Sequence, residues 1–256
     1  MGNGGNIYNS GEYFKHNPDW GRDDSLWKVK HMINVLPEDF LEKNFKGKEV
    51  NIADMGCGRG GVIGSFAAML KKRGCSIGRC VGFDVSDTPL KMAKEEWKDV
   101  EFRKGSVENL KENFDLGLLI DVVEHVDNPD EFLRTCARYC KYLILHIPLD
   151  DHYNARLRNL RPHLKETLGH IHYFNADSAL AIVGRNGLKV INYIYTSGFM
   201  LPSSRRRLLA QAGLIPKFLL GLISKSLCAK ILGGYSLMIL AESEIDITPM
   251  LEKRHE

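Results

Sequence analysis

The chain has 256 residues, 44% hydrophobic and 26% charged, which suits a globular protein with one α/β domain and appendages. No apolar run is long enough to read as a membrane span, and the N-terminus lacks the basic start and apolar stretch of a secretory signal, so the expected location is the cytoplasm. The six cysteines form no CxxC pair; reduced thiols are expected, and their scatter does not suggest a zinc site.

The net charge of +3 conceals an asymmetry: residues 178–241 carry eight Lys and Arg and no Asp or Glu, which leaves −5 for the remainder. That segment favours a negative partner or avoids a positive one. Nucleic acid is not expected, because no aromatics interleave with the basic residues and no nucleic-acid motif accompanies them.

Residues 1–47 read as a tail and a helical cover. The tail, rich in Gly, Asn and Asp, leads to a helix with Asp24 or Ser25 as N-cap and Leu26, Val29, Ile33 and Leu36 on one face; a short helix follows Pro37. From residue 48 strands alternate with helices. Strands are predicted over 50–55, 80–85, 100–104, 116–122, 142–147, 190–195 and 235–241, and helices around 61–73, 88–97, 108–112 and 129–139. This alternation makes 48–148 the core of a Rossmann-like α/β fold: a mainly parallel sheet with helices on both faces and ligands at the carboxyl ends of its strands. Two long segments interrupt it: 149–173, read as a lid over the strand ends, and 197–231, a basic helical insertion within the C-terminal part of the core, 174–242. Residues 243–256 form a tail.

The strongest local signal is NIADMGCGRGG over 51–61, where a strand runs into Asp54, then Gly56, Gly58 and Gly60, then a helix. Glycines let a backbone turn sharply and approach a ligand, and a helix N-terminus offers free N–H groups. Asp84 ends the next strand, where a carboxylate can accept hydrogen bonds from both ribose hydroxyls. Gly56, Gly58 and Gly61 also satisfy GxGxxG, which leaves an NAD-linked oxidoreductase as an alternative. Asp54 argues against it, since a carboxylate suits a ligand's amino group and repels a diphosphate.

In order along the chain, DMGCGRG (54–60), FD (83–84), KGSVENL (104–110) and FD through DVVEHV (114–126) resemble the motifs of class I S-adenosylmethionine-dependent methyltransferases, and the final strand resembles their antiparallel seventh. The resemblance implies a seven-stranded sheet and S-adenosylmethionine as cofactor. It also implies roles for particular residues. Gly56, Gly58 and Gly60 would line the methionine moiety with Asp54 near its ammonium. Asp84 would hold the ribose, Val85 and Val107 would pack on adenine, and Asp121 and Val122 would lie under the cofactor. Ser106 stands where the family often has an Asp on the adenine amino group, and a serine accepts less strongly.

Methyl transfer needs alignment and exclusion of water, with base help when the acceptor is a hydroxyl. Candidates for acceptor contact lie in the lid, which carries Asp150, Asp151, His152, Tyr153, Arg156, Arg161 and His163 and then GHIHYF over 169–174. Either His170 or His172 is a candidate base or acceptor anchor, and nothing in the sequence chooses between them. His125 reads rather as a structural hydrogen-bonding group. A metal is not expected, although the paired histidines with Asp150 or Asp151 would suit several. The 205–230 stretch, basic and apolar together, invites contact with a membrane surface or an apolar acceptor, or else burial against the core. The expectation is methyl transfer to a small molecule, oxygen favoured over nitrogen or carbon, with a non-catalytic cofactor-binding protein as a further alternative. The oligomeric state is left open.

Overall fold

A computed structural model describes residues 22–201 and 214–246. The expected loose tail before residue 22, the Arg205–Arg207 run and the tail beyond residue 246 lie outside the described residues. Seven strands form one sheet in the order β3-β2-β1-β4-β5-β7-β6. They are β1 (Glu49–Met55), β2 (Ser76–Asp84), β3 (Glu101–Lys104), β4 (Phe114–Ile120), β5 (Cys140–Pro148), β6 (Leu188–Ser197) and β7 (Tyr235–Ser243). Strand β7 is antiparallel to both β5 and β6, and the pairings among β1–β5 are parallel. This is the expected α/β fold. Its chain order reverses between β1 and β4, so Asp54 and Asp121 reach the same crevice at the carboxyl edge.

Helices cover both faces. One core holds Val29, Ile33, Phe66, Ile52 and Leu118 under α1 (Arg22–Val35), α2 (Phe40–Asn44), α3 (Gly61–Lys72) and α4 (Asp87–Glu96). The other holds Leu119, Leu133, Leu143, Ile182 and Leu237 under α5 (Pro129–Tyr139) and α8 (Ala176–Gly184). Strands buried from both sides explain the near-continuous apolar runs of β4 and β5. Among the described residues no helix is long and apolar enough to cross a membrane.

Three local expectations need correction. Helix α1 begins at Arg22, so Asp24 and Ser25 lie in its first turn, buried, rather than capping it. Leu26 faces solvent at 70% exposure; the inward stripe is Val29, Met32, Ile33 and Leu36, which keeps the helical period and leaves Leu26 off it. The helix expected over 108–112 is a 3₁₀ turn, Val107–Asn109, closed by a reciprocal cap between Ser106 and Asn109. The lid folds into two helices, α6 (Tyr153–Leu157) and α7 (Arg161–Leu168), and the basic insertion contains α9 (Leu214–Ile223) and α10 (Lys225–Ile231).

Candidate active site

The glycine loop is tied to the end of β2. Gly56 and Cys57 donate their N–H groups to Phe83 O at 2.8 and 2.9 Å. Gly58 N–H donates to Asp84 Oδ2 at 2.9 Å, while Asp84 Oδ1 accepts from Ser86 N at 2.8 Å. Asp84 therefore shapes the loop as well as facing the crevice. Burial outweighs the amides of Ser86, Gly58 and Val85 and keeps its pKa above the ordinary carboxylate value. Gly56 has φ +77, and a Cβ there would lie 2.6 Å from Val122 Cγ2, so no other residue fits between the loop and the turn after β4. Gly60, in the left-handed region at φ 74, caps α3.

Asp54 is buried and its Oδ2 has no hydrogen-bond partner. Burial first, then the charge of Asp84, pushes its pKa up to about 7 against an opposing pull from Lys28. An orphaned carboxylate oxygen beside a loop with open space at Gly58 fits a ligand that brings a cation, as an amino acid ammonium does. Val85 is half-exposed at the adjoining edge and offers an open apolar surface. Val107, by contrast, is turned into the core beneath α5, so the structure does not bring its side chain to the surface beside Val85. Ser106 is held in its cap, its N–H donating to Asn109 Oδ1 at 3.0 Å.

Asp121 follows β4 with φ 56, a conformation uncommon outside glycine, at the switch point of the sheet. Lys28 from α1 reaches its Oδ2 at 2.7 Å, and His146 from β5 contacts Oδ1 through Nδ1 at 2.5 Å. Burial would raise the Asp121 pKa, but the charges and hydrogen bonds of His146 and Lys28 hold it well below the usual carboxylate range. Its carboxylate therefore accepts, and His146 Nδ1 donates. His146 Nε2 meets Thr196 Oγ1 at 2.9 Å, so one chain of contacts links α1, β4, β5 and β6. Neither Lys28 nor His146 carries a sequence signal, since one is a helix lysine and the other a lone strand histidine.

The lid closes on the turn after β4. Ile171 and His172 donate their N–H groups to Glu124 O at 3.0 and 3.1 Å. His172 Nε2 lies 2.9 Å from Val126 O, and His125 Nδ1 lies 3.1 Å from Gly169 O. A carbonyl only accepts, so both nitrogens carry protons and both bonds pin the lid. His170 differs: its Nδ1 is 2.6 Å from Asp150 Oδ2, and its ring stands edge-on to His125 at 4.9 Å. Burial lowers its pKa, but the Asp150 hydrogen bond and the charges of Glu124, Asp150 and Asp121 outweigh it, and the net shift is upward. His170 and His172 are thus separated by their partners.

Glu124 is 1% exposed and neither carboxylate oxygen has a hydrogen-bond partner. Burial and the Asp121 charge raise its pKa to about 8, and burial with the His170 charge lowers His125 to about 4. Glu124, His125 and His170 bring ligand atoms within 4.8 Å of one another, a donor set of a kind that divalent transition metals accept. Glu124 sits inside the motif over 121–126, yet its sequence position alone gave it no role.

The comparisons identify the family and the fold. The profile of the methyltransferase-domain family Methyltransf_23 matches residues 29–193. A ubiquinone biosynthesis O-methyltransferase of Dechloromonas aromatica is 34% identical over 130 residues, 48% of this chain and 53% of that protein. The chain spans about half the length of the curated relatives it matches. Magnesium protoporphyrin IX methyltransferase of Synechocystis, solved with S-adenosylhomocysteine bound, shares the fold with TM-score 0.60 and 15% identity, covering 93% of this chain and 97% of its own. A possible histamine N-methyltransferase of Thermotoga maritima does so with TM-score 0.56 and 18% identity, over 91% and 99%. With its ordered motifs meeting at one crevice, the chain belongs to the methyltransferase-domain family, the class I S-adenosylmethionine-dependent methyltransferases that its sequence resembles.

Proposed function

We propose that the protein transfers a methyl group from S-adenosylmethionine to a hydroxyl of a small apolar molecule, with His170 as the general base. The observation that carries this reading is the contact of buried His170 with partly buried Asp150, 2.6 Å apart, in the lid that folds over the turn after β4. When bound, the cofactor supplies a methyl group already activated by a sulfonium. The Gly56–Gly60 loop, Asp54 and Asp84 hold it, with Val85, Ser106, Asp121 and Val122 shaping the rest of that crevice and Val107 packed beneath it in the core. Asp150 accepts from His170 Nδ1–H, which leaves Nε2 to take the acceptor's proton as the oxygen–carbon bond forms and the sulfur–carbon bond breaks. His172 pins the lid and leaves the proton to His170.

Two further observations support the choice of acceptor. The curated relatives are named as O-methyltransferases, and α9 beside the lid exposes Phe218, Leu219 and Leu222, a surface for apolar bulk. We place the protein in the cytoplasm on its free thiols, with no role for nucleic acid.

The test is His170→Ala beside His172→Ala, read by S-adenosylhomocysteine calorimetry and by turnover on a panel of phenolic and other hydroxyl acceptors. His170→Ala is expected to keep cofactor affinity and lose about 10²–10⁴-fold in kcat, the usual contribution of a general base. Full activity in that variant would remove the base. Asp150→Asn should move the acidic limb of the pH–rate profile downward, because Asp150 raises the His170 pKa. Activity lost in a chelator and restored by zinc or manganese would instead make His170 a metal ligand.

A further inference from the structure

The insertion between β6 and β7 is inside out. On α9, Ile215, Phe218, Leu219, Leu222 and Ile223 follow the i, i+3, i+4, i+7, i+8 spacing of an apolar stripe, which in a soluble protein faces the core. Here all five are exposed, Leu222 at 71% and Ile223 at 82%. The face turned inward is the polar and small one. Lys217 lies against Gly234, Gly221 against the Tyr235 hydroxyl, and Leu220 packs on the core. Helix α10 is fastened by buried Cys228 and Ala229 and shows Leu227, Lys225 and Lys230 outward. Among the described residues the apolar stripe of the hairpin is left exposed.

Its place in the fold gives that stripe a direction. Ser197 pairs with Tyr235 and Pro148 with Ser236, so the insertion leaves and re-enters the sheet at the carboxyl end of β5, where the lid also begins. Lid helix α6 packs against α10 and adds exposed Leu157 and Tyr153 to the same region.

We propose that this hairpin docks the protein on an anionic lipid surface, the apolar stripe of α9 lying in the interface with the lid facing it. Charge decides between occupants. Over 214–231 the hairpin carries Lys217, Lys225 and Lys230 and no acidic side chain, with Lys225 and Lys230 exposed. A second copy seated face to face on this patch would bring together two hairpins that are both basic and carry no acid to pair, whereas anionic headgroups attract Lys225 and Lys230. The helix is too short to span a bilayer and is amphipathic, which is the form of an interfacial anchor. Docking rests on the hairpin alone; its value for catalysis, direct access to an apolar acceptor dissolved in the lipid, rests on the function proposed above.

The experiment is co-sedimentation of the full chain with phosphatidylcholine vesicles and with mixed phosphatidylcholine–phosphatidylglycerol vesicles, at low and high salt. The mixed vesicles are expected to bind at least tenfold more tightly, with the difference shrinking in high salt. The doubly substituted L222E/I223E should lose binding by about tenfold or more, and K225E/K230E should lose the preference for anionic lipid. Both pairs are exposed, and unchanged S-adenosylhomocysteine affinity would show the fold intact. Protein left in the supernatant with mixed vesicles would overturn docking while leaving the methyltransferase reading untouched. So would a wild-type dimer that L222E/I223E converts to monomer without vesicle binding, since a second copy would then cover the face.

Discussion

The half of the crevice proposed for the cofactor and the half proposed for the acceptor are built by different means. In the first, loop and strand ends are joined through backbone groups: Gly56 and Cys57 to Phe83 O, Gly58 to the Asp84 carboxylate, Gly105 N to Asp84 O. In the second, side chains from distant segments meet across the fold, Asp150 with His170 and His125 with Gly169. Backbone-built sites follow from the fold and recur wherever it does. Side-chain-built sites vary with the loops, which lets one fold serve many acceptors. The two solved structures named above, which share the fold, carry the names of a magnesium protoporphyrin IX methyltransferase and a possible histamine N-methyltransferase.

Breaking the cofactor half should have the largest effect on binding. Asp84→Ala removes the acceptor for Gly58 N–H together with the carboxylate proposed to hold the ribose. Loss of charge-assisted bonds of that kind costs about 1.5–3 kcal/mol, so S-adenosylhomocysteine affinity should fall roughly 10- to 100-fold by calorimetry. Unchanged affinity would take Asp84 out of the site.

The two halves are joined through Lys28 and Asp121, and that junction is the next place to cut. Lys28→Met leaves the Asp121 carboxylate to His146 alone and frees a residue held at positive φ. Both partners are largely buried, so a loss of about 1–2 kcal/mol in unfolding free energy is expected, with cofactor affinity a few-fold weaker. Lys28→Arg should restore most of both, whereas a variant as poor as Lys28→Met would show that the lysine stem, not its charge, matters.

The same contrast explains what could be read without coordinates. The strands, the glycine loop and Asp84 lie in short contiguous motifs whose spacing reflects local geometry, so the sheet and the contact of the loop with the end of β2 were legible. The antiparallel seventh strand came from family resemblance rather than periodicity. Pairing of His170 with Asp150 spans 20 residues and the Lys28–Asp121 contact far more, and no spacing rule reaches across such distances. The choice between His170 and His172 was invisible for the same reason: both are histidines two apart, distinguished only by a carboxylate and a carbonyl brought by other segments. Leu26 misled because a single hydrophobic residue beside an amphipathic stripe is common on surfaces.

The finest distinction between cofactor classes lies in one proton. Asp54 in the free protein has a pKa near neutrality, about 7, chiefly because burial disfavours its charge. Between the ordinary carboxylate value and about 7 the folded state therefore binds a proton that the unfolded state has released. Through this group alone, stability falls as pH rises across that window. A ligand ammonium reverses the preference by stabilising the ionised carboxylate, so binding must expel the proton below pH 7. S-adenosylhomocysteine affinity should accordingly rise with pH, by up to about tenfold per unit below 7, and level off above it. Calorimetry in buffers of different ionisation enthalpy would count the proton released, and Asp54→Asn should bind with little dependence on pH in the same range. Affinity that is flat or falls with pH in the wild type would separate Asp54 from the ammonium. NADH binding in its place would return the crevice to a dinucleotide.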